Sequence, residues 1–263
     1  MVEVEDPALG QELGRDLLVD RLAHGGIGGG ARLLMGKPAY ARVLPGEKAI
    51  RSEWILPYDD VRSILGEARF ISLTDCFCRK ERALVDARCA YPLHVCLNLR
   101  DGQSSDDKRE FISTTDALCV LDESEQAGLV HTVTNVRGGW DWLCNCCSCC
   151  CEWLRGFTRW QIDTAVVSNY RVTIDVAACS GCGVCEERCH TAAICVADMH
   201  ACVQPKSCIG CGLCVTTCPT RALQLERLPE PEIACPPLDR EAWEDERLRI
   251  QDSRAALTGS AGA

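Results

Sequence analysis

The chain has 263 residues, of which 47% are hydrophobic and 25% are charged, and its formal net charge is −10. This composition is ordinary for a globular protein of one or two domains, while the acidic balance disfavours nucleic acid and anionic membranes as partners. No run approaches the roughly 18 apolar residues that a membrane span needs. The unusual property is the presence of 22 cysteines.

The amino-terminal residues indicate how these cysteines are used. Residues 1–6 are acidic and show neither the basic region nor the apolar stretch of a signal peptide. A secreted chain with so many cysteines would be expected to form disulfides. Without a visible signal peptide, we expect a reducing, cytoplasmic compartment in which the thiols bind metal.

Residues 1–48 are predicted to form an N-terminal helix, over 11–23, and a glycine-rich linker at 25–30. The glycines match a nucleotide-binding loop poorly, because no strand precedes them. The Ser or Thr of a P-loop is also missing after Lys37. A linker is therefore the preferred interpretation of this segment.

Residues 49–170 are predicted to form a cysteine-rich α/β domain. A helix is expected from residue 61, because Val61, Ile64 and Leu65 share one helical face. The other predicted elements are a strand at 69–74, a helix at 80–87, a helix at 113–127 capped by Ser113 or Thr114, and a strand at 128–134.

Two cysteine runs with the same spacing lie within residues 171–227. They are Cys179-x2-Cys182-x2-Cys185-x3-Cys189 and Cys208-x2-Cys211-x2-Cys214-x3-Cys218, the second followed by Pro219. This is the spacing of bacterial two-cluster ferredoxins, in which the fourth cysteine of each run ligates the other cluster. The sequence therefore predicts two [4Fe–4S] clusters, the first bound by Cys179, Cys182, Cys185 and Cys218 and the second by Cys208, Cys211, Cys214 and Cys189.

Paired zinc knuckles are the alternative for these eight cysteines, because CxxC pairs also suit tetrahedral zinc. The third cysteine of each run, the duplication and Pro219 favour iron–sulfur clusters. His190 stands in the first run where the second has its proline. A surface histidine is the preferred interpretation, and the alternative is that it alters hydrogen bonding near the second cluster. Short strands are predicted around the cluster loops at 171–176, 194–196, 201–204 and 222–225.

Residues 228–263 are predicted to be an acidic tail that is helical or disordered. The predicted fold class is thus α+β. It consists of a cysteine-rich α/β domain followed by a two-[4Fe–4S] ferredoxin module of short strands and helices.

Ten further cysteines lie upstream of the ferredoxin spacing. They are Cys76, Cys78, Cys89, Cys96, Cys144, Cys146, Cys147, Cys149, Cys150 and Cys151. Adjacent cysteines cannot all point at one metal. On a helix Cys144, Cys147 and Cys151 would share a face, whereas in an extended segment Cys144 and Cys146 would do so. A subset is therefore expected to ligate one or two further four-ligand sites.

Three interpretations of these upstream cysteines remain open: an additional Fe–S cluster, structural zinc, or a redox-active dithiol. Four tryptophans crowd the run at 144–151 and are predicted to pack in the core: Trp140, Trp142, Trp153 and Trp160. The remaining cysteines are predicted to act as small buried hydrophobic residues. These are Cys119, Cys195, Cys202 and Cys235.

Several of these segments together resemble a known family. The segments are Lys37–Pro45, the Asp75-Cys-Phe-Cys-Arg79 element, Cys89 with Pro92 and Cys96, and Cys144–Cys151 ahead of the paired runs. As a set, they resemble 4Fe–4S-binding ferredoxin-domain proteins of anaerobic and related prokaryotes over roughly residues 37–227. The resemblance implies iron–sulfur binding and a role in anaerobic metabolism, and it implies no particular ligands among the upstream cysteines.

The expected function is that of an electron carrier or redox-complex subunit, which passes single electrons to or from a partner redox protein. No nucleophile triad or flavin fingerprint is visible in the sequence. One alternative is an iron–sulfur oxidoreductase with a site-differentiated cluster within residues 76–151, fed by the ferredoxin module. The other alternative is a protein of metal or cluster maturation.

Overall fold

The computed structural model describes residues 35–85, 87, 89–100 and 109–259. The helix predicted at 11–23 and the glycine-rich linker at 25–30 lie outside the described residues. Those described form one seven-stranded sheet, two two-stranded sheets and seven α-helices. This mixture of short strands and helices confirms the predicted α+β class.

Eleven strands and seven helices are present in the described residues. The strands are β1 (Ala41–Val43), β2 (Phe70–Asp75), β3 (His94–Arg100), β4 (Glu110–Ile112), β5 (Val130–Thr134), β6 (Trp142–Cys146), β7 (Val166–Val167), β8 (Tyr170–Ile174), β9 (Ile194–Ala197), β10 (His200–Val203) and β11 (Leu223–Arg227). The helices are α1 (Val61–Glu67), α2 (Phe77–Leu84), α3 (Thr114–Ala127), α4 (Glu152–Thr158), α5 (Val184–Glu187), α6 (Leu213–Thr216) and α7 (Arg240–Gly259).

The seven-stranded sheet has the order β4-β2-β3-β6-β5-β1-β7. Its neighbouring strands are antiparallel except for β1 and β7, which are parallel. In the register of the central strands Leu143 of β6 lies opposite both Leu97 and Val133. These three side chains are fully buried in the core beneath α1 and α3. The central strands therefore turn one apolar face towards the two helices.

The opposite face of the sheet is covered differently. Successive side chains of a strand point to opposite faces, so Cys144 and Cys146 of β6 lie on the face that Leu143 does not use. They pack there with α4 and with Ile209 and Leu213, which belong to the ferredoxin region. The second cysteine run is thereby held against the back of the sheet.

The local sequence signals explain several elements. Helix α3 begins after Ser113, whose hydroxyl accepts a hydrogen bond from the Asp116 N–H while the Asp116 carboxylate accepts from Ser113, a capping box that satisfies the free N–H groups of the first turn. The predictions of this helix, of α1 and of β2 are confirmed. The helix predicted at 80–87 begins and ends about one turn earlier, as α2.

Other elements were not predicted, namely β1, β3, β4, β6 and α4. Strand β1 is part of the large sheet although residues 41–43 fall in the segment predicted as helix and linker. The predicted domain boundaries at 48, 170 and 227 stay predictions. Within the part of the chain that is described, the helices are all too short or too polar to cross a membrane.

A helix occupies most of the predicted tail. Trp243 of α7 is buried, and its indole N–H donates to the Ala39 carbonyl at 2.9 Å. Its ring meets that of Tyr40 edge-on, with the centroids 5.3 Å apart. The tail helix is thus anchored by its first turn to the chain just before β1.

A buried ion pair links β1 to the turn before α1. Arg42 and Asp59 are fully buried, and the Arg42 Nε lies 2.6 Å from the Asp59 Oδ1. Another guanidinium nitrogen of Arg42 donates to the Val136 carbonyl at 3.1 Å. Burial lowers the pKa of Arg42 and raises that of Asp59, so both charges depend on their mutual contact.

The same carboxylate reaches the start of the ferredoxin region. The Tyr170 hydroxyl donates to the Asp59 Oδ2 at 3.0 Å and accepts from the Leu56 N–H at 2.9 Å. The Asn169 amide also donates to Asp59, at 3.3 Å. Since Tyr170 begins β8, this network ties the sheet to the segment that carries the cysteine runs.

Replacing Arg42 with methionine is expected to destabilise the protein, because it leaves the Asp59 carboxylate buried without its cation. Removing one partner of a buried pair costs about 3–5 kcal/mol. The measurement is the midpoint of anaerobic thermal unfolding, followed by circular dichroism. Arg62→Met is the control, since Arg62 forms an exposed pair with Glu47 and surface pairs contribute little. Equal midpoints for the two variants would contradict the expected role of the buried pair.

Candidate metal centres

The ferredoxin region brings its cysteines together in two sets of four. The first set lines one cavity and consists of Cys179, Cys182, Cys185 and Cys218. Within it the Ala201 N–H donates to the Cys179 sulfur at 3.4 Å. Burial raises the pKa of Cys185, whereas Cys182 is exposed. This set therefore lies at the molecular surface.

The second set lines another cavity and consists of Cys189, Cys208, Cys211 and Cys214. The Ala193 N–H donates to the Cys189 sulfur at 3.2 Å. Burial raises the pKa of Cys211 to about 12 and raises that of Cys214 as well. Each cavity thus receives three cysteines from one run and the fourth from the other, although the assignment of these residues as ligands stays a prediction.

Glycines allow the cysteine loops to approach neighbouring backbone closely. Gly210 has a φ of +61°, and a Cβ there would lie 2.2 Å from the Tyr170 carbonyl oxygen. Gly181 occupies the equivalent place in the first run, with a φ of +66° and a Cβ position 2.4 Å from the Met199 carbonyl oxygen. Only glycine fits both the left-handed conformation and the close approach.

Both cavities of the ferredoxin region match a [4Fe–4S] cluster in the number and type of their side chains. A cubane cluster takes four thiolates, and each cavity offers four cysteine sulfurs. Backbone N–H groups already point at sulfur in both sets, as they do where hydrogen bonds tune a cluster. The residues present therefore fit the group.

Four of the ten upstream cysteines form a compact group. The sulfurs of Cys89, Cys147, Cys149 and Cys150 all lie within 4.8 Å of one another, and we call them the four-thiol group. Cys147 and Cys150 are buried, whereas Cys149 is exposed. Burial raises the pKa of Cys149 to about 12, while for Cys89 the Tyr91 N–H and the neighbouring thiols outweigh burial and lower the pKa.

The other six upstream cysteines form a closed circuit of neighbouring thiols. The circuit runs Cys76–Cys78–Cys151–Cys146–Cys144–Cys96 and returns to Cys76. We call these residues the six-thiol group. Hydrogen bonds from Cys78 and Cys96 lower the pKa of Cys76 to about 2, whereas the pKa of each of the other five is raised well above its ordinary value.

Of the two geometries considered for the run at 144–151, the extended one applies. Residues Trp142–Cys146 form β6, so Cys144 and Cys146 share a face and both belong to the six-thiol group. The helical alternative is wrong, because Cys147 lies in the four-thiol group. The ten upstream cysteines are thus divided between the six-thiol group and the four-thiol group. Within the run at 144–151 the change from one group to the other occurs where β6 ends and the following turn begins.

A buried arginine lies between the two thiol groups. The Arg79 guanidinium donates to the carbonyls of Pro92 and Asn145, each at 2.9 Å. Burial lowers the pKa of Arg79, but the nearby sulfurs of Cys147, Cys76 and Cys146 outweigh this effect and raise it. No carboxylate among the described residues lies within ion-pair distance of Arg79. One signal for this residue is visible in the sequence, namely its position directly after Cys76-Phe77-Cys78.

His190 was interpreted from the sequence as a surface histidine, and this was wrong. Its Nε2 lies 2.6 Å from the Gly128 carbonyl oxygen, and its Nδ1 lies 3.3 Å from the Ser148 nitrogen and 3.1 Å from the Ser148 hydroxyl. Because a carbonyl only accepts, Nε2 carries the proton and Nδ1 accepts from the Ser148 N–H. Burial lowers the pKa of His190. His190, which directly follows Cys189, therefore links the second cysteine set to the turn of the four-thiol group.

The remaining cysteines lie outside all four sulfur groups. Cys119, Cys202 and Cys235 are exposed and Cys195 is half-buried, so the prediction that they are buried was wrong. The tryptophans pack as expected, because Trp140 is buried and the other three pack against apolar clusters of the core.

Comparisons with known proteins support iron–sulfur binding in one segment. A family model described as a 4Fe-4S binding domain matches residues 201–224, which include all four cysteines of the second run. Neither the curated proteins nor the solved structures contain a match to the chain. The chain thus has a 4Fe–4S binding domain within its ferredoxin region.

Replacing Gly210 with alanine is expected to disrupt the second cysteine set. A left-handed conformation costs a non-glycine residue about 1–2 kcal/mol, and the new methyl would also overlap the Tyr170 carbonyl. We expect a loss of up to about four irons per chain, measured by metal analysis of anaerobically reconstituted protein.

The matched control is Gly183→Ala. Gly183 has a φ of +82° but open space around its Cβ position, so this variant carries the conformational strain without the overlap. Full iron content in both variants would show that the close approach at Gly210 is not needed for cluster binding.

Proposed function

We propose that the protein is an iron–sulfur electron-transfer protein that holds two [4Fe–4S] clusters in residues 171–227. One observation carries the proposal: two sets of four cysteines line separate cavities in a region where a 4Fe-4S binding domain matches residues 201–224. Bound clusters of this kind supply one-electron transfer at potentials set by their surroundings. The protein would pass single electrons to or from a partner redox protein.

The two sets differ in what surrounds them. Cys182 of the first set is exposed, and the neighbouring Val176 and Met199 are 54% and 70% exposed. Cys211 of the second set instead packs against the sheet, and its carbonyl accepts from the Gly46 N–H at 3.1 Å. The first set is therefore the one accessible to a partner, and the second faces the interior of the protein.

The four-thiol group is the place for one additional centre. It offers four sulfurs within 4.8 Å of one another. A zinc ion and a cubane cluster both take four thiolates, and this spacing is near the roughly 3.8 Å between thiolates that share one zinc, so a cubane would require the four sulfurs to move apart. His190, next to Cys189, is bonded to Ser148, so an iron–sulfur cluster in this group would lie close enough to the second set to exchange electrons with it.

The catalytic alternative receives less support from this group. A site-differentiated cluster needs one iron without a protein ligand, as an open coordination position is needed for substrate. The four-thiol group supplies four sulfurs to one place, which is the full ligand number of a cubane. An electron-transfer role therefore agrees better with the geometry than catalysis at this position.

The proposal predicts that the native protein contains at least about eight irons and eight sulfides per chain. Cys211→Ser is expected to lose up to about four of each, and to take up fewer electrons in an anaerobic reductive titration. Cys119→Ser is the matched control, because Cys119 is exposed and belongs to no sulfur group. It should retain the native metal and electron count.

The measurements are iron and sulfide analysis together with electron paramagnetic resonance of the reduced protein. In the native protein the two neighbouring clusters should give a spin-coupled spectrum, which Cys211→Ser should convert into the signal of an isolated cluster. Zinc in place of iron in the native protein would refute the electron-transfer proposal.

A further inference from the structure

We propose that the six-thiol group is a metal site in its own right, which holds a polynuclear iron–sulfur centre separate from the four-thiol group. The inference rests on the proposed function, since it assumes that the chain acquires iron–sulfur clusters. It adds a distinct centre with its own six residues.

The geometry shows that the six thiols converge on one place from distant parts of the chain. Cys76 follows β2, Cys78 lies in the first turn of α2, Cys96 lies in β3, and Cys151 precedes α4. Two cysteines come from β6, namely Cys144 and Cys146. The register that sets Leu97 opposite Leu143 brings Cys96 beside Cys144, and Cys144, Cys146 and Cys151 pack in one cluster. Each thiol of the group interacts with two others of it. Such convergence from five elements is what a shared polynuclear ligand set requires.

The surroundings of the group are otherwise nearly free of ligands that hard metals prefer. Cys76, Cys96, Cys146 and Cys151 are buried, and Cys78 and Cys144 are half-buried. The one neighbouring oxygen with a contact in the described residues is the Thr132 hydroxyl, 3.2 Å from the Cys146 sulfur. A site made almost entirely of thiols selects soft metals and iron–sulfur clusters over magnesium or calcium.

The charge balance supplies a second, independent observation. Arg79 is 5% exposed and has no carboxylate partner among the described residues, although an unpaired buried cation is costly. The groups that face it are the Tyr91 ring, whose centroid is 5.9 Å from the guanidinium carbon, and the sulfurs of Cys76 and Cys146 in the six-thiol group and Cys147 in the four-thiol group. Metal binding deprotonates its cysteine ligands, so a metal–thiolate centre would give this guanidinium the negative partner that it lacks.

Two features favour iron–sulfur over zinc or copper. First, the group shares one apolar cluster with the second ferredoxin set, since Cys146 and Cys151 pack with Ile209, Leu213 and Cys211. A redox centre there would be in position to exchange electrons with that set. Second, six thiolates exceed the four of a single cubane, which indicates a centre of higher nuclearity or one with alternative ligands.

The test compares three double variants of the full-length chain after anaerobic reconstitution with iron and sulfide. Cys144→Ser with Cys146→Ser removes two ligands of the six-thiol group, and Cys89→Ser with Cys150→Ser removes two of the four-thiol group. Cys119→Ser with Cys202→Ser removes two exposed cysteines and is the control. Iron, sulfide, zinc and copper per chain are measured for each.

We expect the Cys144/Cys146 variant to lose at least about four irons with their sulfide. It should keep the paramagnetic signal of the reduced ferredoxin clusters, which also shows that the chain is folded. The Cys89/Cys150 variant should lose the metal of a different centre. The metal losses of the two double variants should therefore add when the variants are combined. If the Cys144/Cys146 variant does not fold, Cys78→Ser is measured in the same way.

Several outcomes would overturn the inference. Iron and sulfide contents that are unchanged by the Cys144/Cys146 and Cys78 variants would do so, as would the loss of zinc or copper in place of iron. Losses that do not add would show one centre shared by both groups. Failure of the proposed function gives a different result, namely a native protein without the ferredoxin signal whatever the upstream cysteines bind.

Discussion

The alternation of side chains along β6 is the constraint on which the rest of the structure depends. Leu143 completes the apolar core beneath α1 and α3, while Cys144 and Cys146, one and three positions further along the strand, face the opposite layer. A shift of the strand by one residue would exchange the two sets, placing thiols in the apolar core and leucine in the sulfur layer. The pairing of Leu143 with Leu97 and Val133 therefore fixes the position of the sulfur ligands as well as the core.

The sulfur layer requires a charge arrangement that an apolar core would not need. Metal-bound thiolates carry negative charge into a region of low polarity, where an isolated charge is costly. Arg79 is the buried cation placed between both upstream groups. Its two terminal guanidinium nitrogens donate to the Pro92 and Asn145 carbonyls, while its Nε has no hydrogen-bond partner among the described residues. Arg42, another buried arginine, is balanced by Asp59 instead. The Arg42–Asp59 pair thus belongs to the scaffold, whereas Arg79 is available to the proposed metal centres.

The sequence predicted the parts of the site that depend on local spacing. Three cysteines of each ferredoxin set lie on a single short loop, so their spacing alone predicts iron–sulfur chemistry, and the 4Fe-4S binding domain matched at residues 201–224 agrees with it for the second run. The division of the upstream cysteines could not be predicted, because it depends on strand register. Cys96 reaches Cys144 only because β3 pairs with β6 with Leu97 opposite Leu143, and β6 was not predicted. The role of His190 was missed for the same reason, since its partners Gly128 and Ser148 are distant in sequence.

The contacts around the second ferredoxin set suggest an order for the proposed centres. This set contacts the segments that follow β1 and β6. The Gly46 N–H donates to the Cys211 carbonyl, and the Nδ1 of His190, next to Cys189, accepts from the Ser148 N–H. Ser148 belongs to the turn of the four-thiol group, while Cys211 packs beside Cys146 of the six-thiol group. Both upstream groups therefore adjoin the second set, whereas the first set has Cys182 exposed at the surface. In such an arrangement an electron from a partner would enter at the first set and reach either upstream group only through the second.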